Sequence, residues 1–219
     1  MNTKRRLLKI YDSLFSFYGP QHWWPGETPF EVAVGAILTQ NTNWTNVEKA
    51  IANLRKARLL SPKALRALPT ERLAALIRPA GYFNVKASRL KAFLDFLGER
   101  YGSSMDRMRK QDMQLLREEM LGVKGIGPET ADSILLYALD KPVFVIDAYT
   151  KRVLSRHGIL DLDASYRAYQ DLFHRAFDED VPFFNEYHAL MVMVGKDFCK
   201  PEPRCERCPL RERRPSRSR

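Results

Sequence analysis

The stretch Leu121-Gly-Val-Lys-Gly-Ile-Gly-Pro-Glu-Thr-Ala131 constrains this chain more than any other. It sets Gly122, Gly125 and Gly127 in a turn between two apolar helical patterns. Glycines there permit positive φ and close backbone approach. Ile126 acts as an apolar plug between the helices, and Pro128 fixes the first turn of the second. A helix N-terminus presented in this way is a ready anion site, suited to a phosphate backbone. Such contacts set register and orientation and read no base sequence. Asp147 follows, an isolated carboxylate placed for chemistry beside whatever is gripped.

The remaining pattern is helical nearly throughout. Leu7, Leu8, Ile10, Tyr11, Leu14, Phe15 and Tyr18 form a stripe at i, i+3, i+4 spacing, ended by Gly19-Pro20. Thr28-Pro29 opens a second helix, and Asn43 caps a third from Trp44 to about Ala57. Further helices are expected from Ser61-Pro62, from Thr70, and over 84–100, 112–121, 128–139, 147–157, 164–177 and 182–194. Val143-Phe-Val-Ile146 has strand-like composition, but nothing nearby pairs with it, so it reads as a buried connector. There is no βαβ rhythm and no internal repeat. The fold class is all-α.

At 219 residues with a net charge of +10, the chain can bury a real core and favours an acidic partner, nucleic acid being the usual one. From Gly195 to Arg219 there are 9 Lys/Arg and 4 Asp/Glu, so half the excess lies in this tail. Its last residues, from Arg211 on, are too polar and charged to pack. No stretch reaches the roughly 18 apolar residues of a membrane span. The first residues lack a convincing apolar signal segment. A cytoplasmic, monomeric protein is the expectation, nucleoid-associated if bacterial. All three cysteines sit within ten residues near the end, which suggests metal ligation rather than disulfides.

Several runs together resemble the helix-hairpin-helix DNA glycosylase superfamily that includes endonuclease III. They are Trp23-Trp24-Pro25, Phe30-Glu31, Gly35-Ala-Ile-Leu-Thr-Gln-Asn-Thr42, Arg78-Pro79, Gly81-Tyr-Phe-Asn84, Lys86-Ala87, Lys124-Gly-Ile-Gly127 and Ala131-Asp132-Ser-Ile-Leu135. Within it they are most similar to the 3-methyladenine DNA glycosylase III branch, and the likeness runs from Trp23 to Cys208. It implies two helical lobes with a central cleft. One lobe spans 28–140 and ends in the hairpin; the other combines 1–27 with 141–219. It makes Gly122, Lys124, Gly125, Ile126 and Gly127 backbone-binding residues on double-stranded DNA.

The resemblance places Asp147 at the family's catalytic aspartate. A fixed carboxylate stabilises the oxocarbenium-like state of a breaking glycosidic bond and orients water. By residue type alone Asp147 reads equally as a helix N-cap. Glu129 departs from the pattern. Members that also cut the strand carry a lysine there, whose amine forms a Schiff base, and a carboxylate cannot. The implied activity is monofunctional: hydrolysis that leaves an abasic site. Lys124 and Lys196 supply amines, but neither occupies the matched position.

A flipped base needs stacking faces. Trp23 and Trp24 fall where the alkyladenine branch has pocket tryptophans, and Trp44 where it has a phenylalanine. Core packing is the ordinary alternative for each. Indole rings suit cationic N3- or N7-alkylated purines through stacking and a cation–π attraction of roughly 0.5–2 kcal/mol. Glu129 and Lys196 complete the expected pocket lining, with Tyr82 and Phe83 as weaker candidates. Gln40 matches a residue that helps fill the gap left by the flipped base, with Asn41 beside it.

Cys199, Cys205 and Cys208 resemble the four-cysteine iron–sulfur loop of endonuclease III relatives. The fourth position, 214, is Arg here. Three readings stay open: a [4Fe–4S] cluster with an outside ligand, a zinc ion, or a metal-free remnant. The expected function is excision of an alkylated purine such as 3-methyladenine from duplex DNA. The alternatives are an endonuclease III-like glycosylase and abasic-site lyase, a glycosylase for mismatched or oxidised pyrimidines, and a non-catalytic damage-binding module.

Overall fold

The computed structural model describes residues 2–23 and 26–211. The expected pocket residue Trp24 and the polar tail from 212 onward lie outside them. Every regular element among the described residues is helical, in line with the 3.6-residue periodicity. The chain forms two compact units, Met1–Trp23 with Pro142–Arg219, and Trp24–Lys141.

In the unit Trp24–Lys141, helix α2 (Pro29–Leu38) is the hub. Its sequence PFEVAVGAIL is apolar on all sides, and such a helix is stable only when surrounded. Every residue from Phe30 to Leu38 is buried. Around it pack α3 (Trp44–Lys56), α6 (Phe83–Tyr101) and α9 (Pro128–Ser133). The one charge inside α2, Glu31, is held by both oxygens at 2.7 Å from Arg55 of α3. Buried unpaired, that carboxylate would be strongly destabilising. Short helices α4 (Pro62–Ala67) and α5 (Thr70–Leu76) cover α6. A 3-10 turn at Arg78–Ala80 leads into α6. Helix α7 (Met105–Arg109) and helix α8 (Met113–Leu121) complete the approach to the glycine turn.

The expected helix over 128–139 is continuous but changes character. It is α-helical to Ser133 and a π-helix over Ile134–Ala138. Four residues of this π segment are buried, and it lies against α2. Period-3.6 reasoning does not see a π segment, because its apolar residues satisfy either winding.

The other unit contains α1 (Thr3–Tyr18), α10 (Ala148–Arg156), α11 (Tyr166–Ala176) and α12 (Val181–Asp197). Its core is aromatic. Phe144 stacks on Phe173 at 3.5 Å, and Tyr187 meets both edge-on while donating its hydroxyl to the Leu7 carbonyl. The connector Val143–Ile146 is buried and irregular, as its unpaired composition suggests. Buried backbone needs partners, and side chains of α11 supply them. The Phe144 N–H donates to His174 Nε2, the Gln170 amide donates to the Phe144 carbonyl, and the Ile146 N–H donates to the Tyr166 hydroxyl. This pinned segment delivers Asp147 to the start of α10.

Candidate functional site

The glycine turn is braced from beneath. Asp132 of α9 is fully buried and takes a two-pronged bond from Arg117 of α8, at 2.6 and 3.1 Å. Ile126 is buried, whereas Lys124, Gly125 and Gly127 are exposed. Of the three glycines only Gly125 has positive φ, at +85°. Gly122 is in the right-handed helical region, and Gly127 is extended. A Cβ on Gly127 would meet nothing within 4 Å, so glycine there keeps the surface open to an approaching partner. Helices α2, α3, α8 and α10 carry side-chain caps at Thr28, Asn43, Asp112 and Asp147, whereas α9 has none. Glu129 is exposed in the first turn of α9.

Gln40 lies in the turn after α2. Its amide nitrogen donates to the Gly125 carbonyl at 3.1 Å and to the Thr130 hydroxyl at 2.9 Å. Asn41 is exposed with φ +53°. Beneath this turn Lys86 is 1% exposed, and its ammonium donates to the carbonyls of Leu38 and Ala80. Burial, and secondarily the charge of Arg89, pushes Lys86 down to about 8. Tyr82 stands out. It is 72% exposed and left-handed at φ +45°, a strained state for an aromatic residue. Phe83, next in the chain, is half-buried and lies under Arg78.

Trp44 opens α3, half-buried, and its indole N–H donates to Glu48 at 2.8 Å. It lines an open pocket of ≈520 Å³ with Glu27, Glu31, Glu48 and Arg55. Three carboxylates face one guanidinium, so the pocket is net acidic. Sequence reasoning missed these acids. Glu48 is recoverable from its i+4 spacing to Trp44, but Glu27 and Glu31 are not.

In the other unit, Asp147 is an N-cap: one oxygen accepts the Thr150 N–H at 2.7 Å. The second oxygen lies 3.7 Å from Nε2 of His188 on α12. Burial pushes His188 below its ordinary value, with Asp147 pulling the other way, so the imidazole is uncharged at neutral pH. His188 is a further residue that sequence reasoning missed. Trp23 is half-buried in an irregular segment, and Lys196 is exposed in the last turn of α12. Gly195 before it is fixed by packing, since a Cβ would lie 2.4 Å from the Tyr149 ring.

The three cysteines line one cavity with His157 and Arg156. That cavity is ≈20 Å³, room for about one water. Among the described residues no three Cys, His, Asp or Glu side chains converge closely enough to hold a metal ion. The Cys199 sulfur instead accepts from Arg156 at 3.4 Å, and Arg156 also binds the carbonyls of Lys200 and Pro201. Arg152 donates to the Cys199 carbonyl. In this arrangement the loop is organised by guanidinium groups.

Comparison with known proteins bears on the same elements. The Methanocaldococcus jannaschii protein MJ1434, which carries the provisional name DNA repair glycosylase, is 46% identical over 212 residues, 96% of each chain. Endonuclease III of Thermotoga maritima is 29% identical over 184 residues, 84% of this chain and 81% of that one. The H. pylori 3-methyladenine DNA glycosylase MagIII, solved with 1,N6-ethenoadenine, superposes with a TM-score of 0.76 at 28% identity. The match covers 90% of this chain and 98% of that one. An endonuclease III–DNA covalent intermediate shares the fold at a TM-score of 0.82, with 24% identity over 96% and 94% of the two chains. Residues 34–178, which contain the hairpin, Trp44 and Asp147, match the HhH-GPD superfamily of base excision DNA repair proteins, and the chain belongs to that family of DNA glycosylases.

Proposed function

We propose that this glycosylase hydrolyses the N-glycosidic bond of an alkylated purine, 3-methyladenine foremost, and leaves the abasic strand uncut. The observation that carries the reading is Glu129. It stands exposed in the first turn of the hairpin helix, at the position where strand-cutting relatives present an amine. A carboxylate forms no imine, so β-elimination has no nucleophile at that position. The Trp44 pocket supports the choice of base. Its net acidity favours a cation stacked on the indole. N3- and N7-alkylpurines are cationic and leave readily as neutral bases, so little acid catalysis is needed. The likeness to MagIII points the same way.

In this mechanism the hairpin turn seats the DNA backbone, Gln40 enters the gap beside the flipped nucleotide, and Trp44 receives the base. Asp147 stabilises the positive charge that grows at the sugar C1′ and orients the attacking water. His188, buried and uncharged at neutral pH, places no second full charge beside Asp147. Tyr82 supports a DNA contact, because an exposed ring in a strained backbone gains nothing from the fold. A DNA substrate puts this work in the cytoplasm, at the nucleoid in a bacterium. The test is chromatography of bases released from methylated duplex DNA by the wild type and by Trp44→Ala. Release of 3-methyladenine, reduced about tenfold or more in the variant, supports the reading. Failure of the wild type to release any alkylated purine overturns it.

A further inference from the structure

We infer that Arg89 is a positioning residue, which holds the Gln40 amide against the hairpin turn so that the gap-filling side chain and the backbone grip form one preassembled unit. The inference rests on the reading of Gln40 as the residue that enters the gap. Three bonds converge on its amide. The nitrogen donates to the Gly125 carbonyl and the Thr130 hydroxyl, and the oxygen accepts from the Arg89 guanidinium of α6. No donor or acceptor of that amide is without a partner except the second lone pair of its oxygen. The side chain is therefore fixed before DNA arrives.

Arg89 also explains the glycine at 125. A Cβ there would lie 2.3 Å from Arg89 Cγ and 2.7 Å from Cδ. The aliphatic stem of Arg89 thus lies flat across the hairpin turn while its guanidinium holds Gln40. Both contacts join sequence-distant pieces: Gln40 and Arg89 are 49 residues apart, and Gln40 and Gly125 are 85 apart. One turn earlier on α6, Lys86 holds the carbonyl end of α2. The Gln40 turn is therefore gripped twice by α6, once through its backbone support and once through its side chain. Immobilising a long side chain costs roughly 0.5–1.5 kcal/mol at an interface. Arg89 meets that cost in the free protein, so DNA binding does not incur it again.

Direct contact with the DNA backbone is the other role open to an arginine beside a phosphate grip, and the experiment separates the two. Binding of the full-length protein to a duplex carrying a tetrahydrofuran abasic analogue is measured across a salt series. The proteins are wild type, Arg89→Ala, Arg89→Met, Arg89→Lys, Gln40→Ala and Gln40→Ala/Arg89→Met. Arg89→Met keeps the stem over Gly125, so it guards against simple misfolding of the alanine variant. The expected result is an affinity loss of about tenfold in Arg89→Met, the scale of a charge-assisted hydrogen bond, with an unchanged salt slope. Arg89→Lys stays impaired, and the double variant is no weaker than Gln40→Ala alone. A slope reduced by about one phosphate contact, full rescue by lysine, or additive losses overturns the positioning role while leaving Gln40 intact. Wild-type affinity in Gln40→Ala overturns the reading of Gln40 itself.

Discussion

Asp147 serves two purposes here, and two substitutions separate them. As an N-cap it accepts the Thr150 N–H at 2.7 Å. As the proposed catalytic carboxylate it needs its charge. Asp147→Asn would preserve the first and abolish the second, because asparagine caps a helix as well as aspartate does. The new amide nitrogen would then face His188, whose uncharged Nε2 lies 3.7 Å from the present oxygen. Asp147→Ala removes both roles. Loss of the cap costs about 1 kcal/mol, which lowers the melting temperature of a chain this size by roughly 2–4 °C. Asp147→Asn is expected to melt within about 1 °C of wild type, since the cap difference is a few tenths of a kcal/mol. Removing a preorganised group that stabilises transition-state charge costs roughly 10²–10³ in rate. Both variants should therefore lose base release by at least about a hundredfold, while only Asp147→Ala loses stability. The assay pairs thermal unfolding with single-turnover base release on methylated DNA. If Asp147→Asn releases base at the wild-type rate, Asp147 is a cap and nothing more. If Asp147→Ala melts with the asparagine variant, the cap contributes nothing.

Three further outcomes follow from the geometry. Gly125→Ala combines a φ of +85° with a 2.3 Å approach to Arg89. It should cost about 1–3 kcal/mol in chemical denaturation, with part of the loss recovered when Arg89→Ala is added; full additivity contradicts the contact. His188 has a folded value below its ordinary 6.5, so below that pH the unfolded chain binds more protons than the native one. Its contribution to stability is complete above about 6.5 and is lost as pH falls. A flatter acid limb in the melting profile of His188→Gln is expected, and an unchanged limb refutes the assignment. A cavity with room for about one water and a guanidinium on Cys199 imply that strong chelators leave the melting temperature unchanged. A drop after chelation, or absorbance near 400 nm that chelation removes, means that the cysteine loop holds metal.

What could be read from sequence was local. Pro29 in the first turn of α2, Asn43 ahead of α3 and the strand-like but solitary Val143–Ile146 each carry their reason within a few residues, and the helices and connector form where those reasons put them. The hairpin was legible because its glycines, Ile126 and Pro128 are contiguous. The parts that were not legible depend on distance along the chain. Nothing near Gln40 indicates that Arg89 will take its amide oxygen, and nothing near Asp147 indicates His188. The acids around Trp44 come from α2, from the segment before it and from α3, and meet only in the fold. Glycine was over-read at Gly122 and Gly127. Neither needs positive φ, and open space rather than backbone strain accounts for Gly127. The cysteine loop shows the opposite limit. Its spacing points to metal, and no spacing rule includes the two arginines of α10 that also brace its backbone.

The most direct measurement is the fate of one strand. A duplex containing a single 3-methyladenine analogue is incubated with excess protein in the presence of borohydride, and the base, the strand and any covalent adduct are analysed together. Hydrolysis with Glu129 in place of the amine should give free base, an unbroken strand with an abasic site, and no trapped protein. A borohydride-stable protein–DNA adduct, lost on replacing one lysine, would show that this chain cuts through an imine and that Glu129 does not decide its chemistry.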